Sequence, residues 1–111
     1  GNVGIGTSNP QATLQVTGTV KVLGAWQSSL TNNTVYQAAS DGFVVTWGTL
    51  CYVQGFTDSA NPPTTIVAED EGNTLNAARC HLTFPVRKGD YWKVYYTTAS
   101  SLSIRWIPFG N

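Results

Sequence analysis

The first two dozen residues limit the fold more than any other stretch of this chain. Gly1-Asn2-Val3-Gly4-Ile5-Gly6-Thr7-Ser8-Asn9-Pro10 leads into Ala12-Thr13-Leu14-Gln15-Val16-Thr17-Gly18-Thr19-Val20-Lys21-Val22. Three alternating aliphatic pairs, Val3/Ile5, Leu14/Val16 and Val20/Val22, read as short strands separated by Gly, Asn and Pro. So few aliphatic side chains do not offset the entropy lost on ordering the backbone. The segment therefore needs copies of itself to pack against.

The remainder alternates with a period of two and nowhere sustains a helical period. Phe43, Val45 and Trp47 oppose Val44 and Thr46, and Leu50, Tyr52 and Phe56 oppose Cys51 and Val53. Residues 64–69 are β-branched-rich. Cys80, Leu82, Phe84 and Val86 oppose His81, Thr83 and Pro85, and Trp92, Val94 and Tyr96 oppose Tyr91, Lys93 and Tyr95. Leu102, Ile104 and Trp106 oppose Ser103, Arg105 and Ile107. Turn clusters at 58–63, 70–73, 87–90 and 99–101 separate these runs. Several strands at such spacing predict an all-β protein with a compact antiparallel β-sandwich or jelly roll, and do not choose between them. The change in character near Gly24 to Gln27 predicts two parts, a β-rich stalk over 1–24 and a β-sandwich over 25–111. A sandwich of that size buries little surface as a monomer, so self-association is expected to help it.

The N-terminal run resembles the repeat G-x-V-G-I-G-T-x-x-P followed by L-x-V-x-G in the shafts of trimeric phage tail fibres. The same repeat occurs in tail-fibre-like surface fibres of bacteria, including predatory ones. It covers about one fifth of the chain, in one copy. The resemblance implies three intertwined chains, a globular tip and an extracellular location on a surface fibre or virion tail fibre. Lys88-Gly89-Asp90-Tyr91-Trp92-Lys93-Val94 is similar to a hairpin of trimeric jelly-roll heads of the C1q and tumour-necrosis-factor type. Ser103-Ile104-Arg105-Trp106-Ile107-Pro108-Phe109-Gly110 is similar to the last strand of fibre tips. By these resemblances Val3, Ile5, Leu14 and Val16 line a homotrimer interface in the stalk, and Trp106 and Ile107 line one in the head; the residues alone fit ordinary core of a single sandwich equally well. Cys51 and Cys80 either pair across the sandwich or serve as small buried hydrophobes. The resemblance favours free thiols, because fibre domains of this kind seldom depend on disulfides.

Charge and composition narrow the function. Charged residues make up 11% of the 111, the net charge is zero, and hydrophobic residues reach 41%. No basic stripe suits nucleic acid or an anionic membrane, and no apolar run approaches the ~20 residues of a spanning helix. The absence of Met predicts a piece of a longer chain.

The residue types that carry catalysis do not form a motif. His81 is the one histidine, and a lone strand histidine beside plentiful Ser and Asp is no triad. Gly4-Ile5-Gly6 lacks the following Lys-Ser/Thr of a phosphate loop. Asp58, Glu69, Asp70 and Glu71 supply carboxylates, but three fall in one turn-rich acidic stretch. Residues 69–73 lack the spacing of a calcium loop. The expectation is therefore a protein that is not an enzyme, with no cofactor and no metal.

Binding remains. Four Trp and five Tyr are a high aromatic load for a small domain. Flat rings flanked by Asp, Asn and Arg suit sugars, whose C–H faces stack and whose hydroxyls meet polar groups. Loops at the far end of the head are the expected place, with 57–63 the longest and 69–76 second. Tyr52, Asp58, Asn61, Asp70, Asn73, Arg79 and His81 are the expected rim of a site for a surface glycan or envelope polymer, repeated by trimerisation to gain avidity. The alternative is a head that only registers and caps the fibre.

Overall fold

The computed structural model describes residues 1–72, 79–97 and 101–110, which form β structure with no helix among them. The strands are β1 (Val3–Ile5), β2 (Leu14–Val16), β3 (Tyr36–Gln37), β4 (Gly42–Thr49), β5 (Tyr52–Asp58), β6 (Ile66–Glu71), β7 (Arg79–Val86), β8 (Tyr91–Thr97) and β9 (Ser101–Pro108). Two antiparallel sheets, ordered β3-β8-β5-β6 and β7-β4-β9, pack face to face. β1 and β2 form a separate parallel pair in which Val3 meets Leu14 and Ile5 meets Val16.

Alternation decides what is buried. From the three-stranded sheet, Val44 and Thr46 of β4, Cys80, Leu82, Phe84 and Val86 of β7, and Ile104 and Trp106 of β9 point inward. Val53 of β5 and Trp92 and Val94 of β8 meet them from the other sheet. Each large apolar side chain so buried contributes about 1.5–3 kcal/mol. Thr46 is the polar member of this layer, and its Oγ1 accepts the Leu82 N–H at 2.9 Å, which satisfies the buried hydroxyl. Gly55 lies under the Phe84 ring, where a Cβ would overlap the ring.

Trp106 stacks on Trp92 in this core, with ring centroids 5.8 Å apart. The expectation that it faces a neighbouring subunit is therefore corrected, because its indole is spent on joining the two sheets. Ile107 is likewise covered within one chain, at 7% exposure. Both expected head contacts are thus buried without any partner.

The cysteines are also corrected. Cys51 and Cys80 form a disulfide with Cα atoms 6.1 Å apart, inside the usual range. The physical reason is the corner between β4 and β5, where Leu50 at φ 54° turns the chain across to the second sheet within two residues. That turn brings buried Cys51 against the inward-facing second residue of β7.

Residues 22–27 add a further edge to the three-stranded sheet. Gly24 N–H donates to Pro108 O at 2.7 Å, and Gly110 N–H donates to Val22 O at 2.8 Å. Gln27 and Trp106 exchange backbone bonds of 2.8 and 2.9 Å. The sandwich thus begins at Val22, so the expected boundary after residue 24 cuts through its first edge. Val20 and Val22 do not form a third stalk strand. On the opposite edge, Asp70 Oδ2 accepts the His81 N–H at 2.9 Å and so covers a free donor of β7.

The stalk pair stands apart. Val3, Ile5 and Leu14 are 56%, 58% and 61% exposed, while Val16 is half-buried. The chain measures 59 × 32 × 20 Å with a radius of gyration of 18.0 Å, against about 13 Å for a compact chain of this length. The stalk joins where β4 begins and β9 ends, since Leu23 bridges Phe109. The long 58–65 loop lies at this same stalk-side end, because Asp58 pairs with Tyr91 at the start of β8. It is therefore not at the far end of the head, whereas the end of β6 at Glu71 and the start of β7 at Arg79 are.

Candidate ligand-binding site

The expected rim residues are not brought together. Tyr52 lies on the outer face of the four-stranded sheet, opposite Glu71 and Thr97. Asp58 and Asn61 lie in the stalk-side loop, Asp70 sits at the β6–β7 edge, and Arg79 and His81 are on the outer face of the three-stranded sheet. Asn73 lies outside the described residues.

Two of the carboxylates act on the backbone. Asp58 accepts Ala60 N–H at 2.8 Å through Oδ1, and Thr64 and Thr65 N–H at 2.9 Å each through Oδ2. These bonds, from Thr64 and Ala60 above all, hold its pKa down at about 2. The side chain is thereby the organiser of the 58–65 loop and a fixed negative charge at its base. Asp70 bonds its neighbour Glu71 N–H as well as the β7 edge.

A groove of ≈ 780 Å³ opens at the stalk-side mouth of the sandwich, between the end of β7 and the start of β6. That size lies in the ordinary range of small-ligand sites. Its apolar wall is Phe43, Pro85, Val67 and Phe109, and the Phe43 and Phe109 rings lie 5.7 Å apart at a tilt of 54°. Its charged groups are Asp41, Asp58, Asp90 and Arg87, and Thr57, Ser59, Thr65 and Thr83 add hydroxyls. Asp41 Oδ1 accepts Lys88 N–H at 2.8 Å, which sets the carboxylate, and Oδ2 has no partner among the described residues. Backbone bonds tie the floor down: Ala38 N–H to Asp90 O at 2.9 Å, and Gly89 N–H to Ala38 O at 2.8 Å. Phe109 N–H also bonds Asp41 O at 2.7 Å.

A second ordered array lies on the outer face of the four-stranded sheet. Glu69 Oε2 accepts the Tyr52 hydroxyl at 2.6 Å and Gln54 Nε2 at 2.8 Å. The Tyr52 bond, then the Gln54 bond, lowers the Glu69 pKa, and the same Glu69 contact raises that of Tyr52. Tyr95 pairs in register with Gln54, and Lys93 Nζ sits 4.8 Å from the Phe56 ring centroid. The outer face of the other sheet carries Trp47, 51% exposed, beside a smaller hollow lined by Val45, Ser103 and Arg105.

Of the groove residues, sequence reasoning singled out Asp58 as a site residue and missed Asp41, Phe43, Arg87, Asp90 and Phe109. Phe43 was visible as a member of an alternating strand, but which face turned outward was not. Among the described residues no group of His, Cys, Asp and Glu is arranged to hold a metal ion. No helix among them is long and apolar enough to cross a membrane.

Comparison with known proteins returns no match, either to a family model, to a curated protein or to a solved structure.

Proposed function

We propose that this chain is the end of a homotrimeric fibre, a β stalk carrying a jelly-roll tip that recognises a surface glycan or envelope component of a target bacterium. It acts outside the cell by adhesion, without chemical turnover. The observation that carries the reading is the β1–β2 pair, whose Val3, Ile5 and Leu14 are more than half exposed beside a head that has closed its own core. Strands so short do not persist alone, and neighbouring copies are the partners their sequence fits. Strand order supports the jelly roll. With residues 22–27 counted first, one sheet runs first, eighth, third, sixth and the other second, seventh, fourth, fifth. That is the order of two interlocked Greek keys.

The competing reading is a cap that only registers and trimerises the fibre. Exposed Trp47, beside Val45 and Arg105 on the sheet the stalk enters, favours a head-to-head contact in either case. A glycan array probed with the assembled protein separates the two. Saturable binding to a surface polysaccharide supports adhesion. An assembled trimer that binds neither purified polysaccharides nor bacterial cells refutes it and leaves the cap.

A further inference from the structure

We propose that the groove at the stalk-side mouth of the sandwich binds a non-anionic pyranose unit, taking its C–H face on Phe109 and Phe43 and its hydroxyls on Asp41, Asp90 and Arg87. This inference rests on the adhesin reading and adds to it a site and a ligand chemistry.

Three observations carry it. The first is shape: at ≈ 780 Å³ the groove has room for one or two sugar rings, and it is open enough to admit one unit of a polymer. The second is the wall. Phe109 is 37% exposed although it pairs with Phe43, so a ring face is left to the groove, and Pro85 and Val67 extend the apolar strip. A pyranose presents such a strip with an aliphatic face while its hydroxyls stay at the margin.

The third is the polar set. The Asp90 carboxylate and the Arg87 guanidinium have no partner among the described residues, and Asp41 keeps Oδ2 as a free acceptor. Carboxylates accept from sugar hydroxyls, and a guanidinium fork donates to ring and hydroxyl oxygens. Three aspartates against one arginine leave the groove negative, with Asp58 charged but occupied by its loop. A uronic or sialic acid meets repulsion there, whereas a neutral or amino sugar does not. The Phe43–Phe109 wall is the stalk-side end of the outer face that carries Trp47. In a trimer the groove therefore borders the contact between heads and recurs once per chain.

The test uses the whole chain and a panel of methyl glycosides, neutral hexopyranosides beside the methyl glycoside of a hexuronic acid, followed by amide NMR titration. About a dozen non-hydrogen atoms in an open site predict a Kd on the order of 1 mM. The expected result is saturable shifts at Asp41, Phe43, Asp90 and Phe109 with a neutral glycoside, and none with the uronide. Phe109→Ala is expected to weaken binding about tenfold, and Asp41→Asn, which keeps an acceptor for Lys88 N–H, severalfold. Tyr52→Phe, outside the groove on the outer face of the four-stranded sheet, is expected to change nothing. Neutral glycosides that bind with shifts elsewhere, or equally to Phe109→Ala and Asp41→Asn, overturn the site while adhesion stands. Tighter binding of the uronide overturns the charge argument and with it the ligand class. No binding of the parent protein to any glycoside, polysaccharide or cell overturns the adhesin reading and this inference together.

Discussion

Breaking the Cys51–Cys80 bond is the perturbation whose effect can be worked out most directly. The bond spans 29 residues and ties the β4–β5 corner, where the chain crosses from one sheet to the other, to the start of β7. Constraining a loop of that length in the unfolded chain stabilises the fold by about 3.6 kcal/mol at 25 °C in the chain-entropy account. Against a total of about 5–15 kcal/mol for a small domain, that is a large fraction. At roughly 4–8 °C per kcal/mol, the reduced protein is expected to melt about 15–30 °C below the oxidised one. The assay is thermal unfolding followed by near-UV circular dichroism. Oxidised protein is compared with protein reduced while unfolded and refolded in reductant, at one concentration because the melting point of a protein that self-associates depends on it. The double variant Cys51→Ala/Cys80→Ala is expected to follow the reduced form. Coincident melting of the oxidised and reduced forms refutes the stabilising role. Two reactive thiols in unfolded, unreduced protein refute the bond itself.

Asp58 predicts a pH dependence. Its folded pKa of about 2 lies below the unfolded value near 3.9, so its contribution is full above pH ~4 and is lost as pH falls towards 2. The melting point of Asp58→Asn is expected to be lower than that of the parent at pH 6 and to fall less between pH 4 and 2; parallel curves would count against the loop-organising role. Gly55→Val forces a branched side chain against the buried Phe84 ring and is expected to cost at least about 1–3 kcal/mol in urea unfolding. A midpoint equal to the parent's would contradict the packing described. Tyr52→Phe removes the hydroxyl that Glu69 accepts, so carboxyl titration followed by NMR is expected to show the Glu69 pKa rising towards its ordinary value. An unchanged titration would place the cause elsewhere.

Much of the fold was legible locally, and what was missed depends on partners distant in sequence. The runs at 42–49, 79–86, 91–97 and 101–108 are strands because alternation and flanking turn residues are local properties. Sheet membership is not local: β4 pairs with β7 and β9, both far along the chain. The inward face of β4 was opaque for a physical reason. Its outward set, Phe43, Val45 and Trp47, is the more apolar, while Thr46 is buried and satisfied by a backbone N–H of β7. Trp47 and Trp106 show the same limit, since nothing in the alternation distinguishes the exposed indole from the stacked one. β3, two residues long, has no pattern to detect. The rim failed for a related reason. Asp58 and Asp70 face backbone donors that only the folded chain presents. The groove gathers Arg87 and Asp90 from a run that sequence marks only as a turn, and Asp41 from the residue before β4, which no pattern singles out.

The central claim is that this chain works as one third of a fibre end. Its most direct test is the solution mass by light scattering across a wide concentration range, with Ile5→Asp/Leu14→Asp as the comparison. The account predicts a stable mass three times the 11.9 kDa chain, and a lower mass when the stalk aliphatics are charged. A folded monomer at every concentration would contradict it.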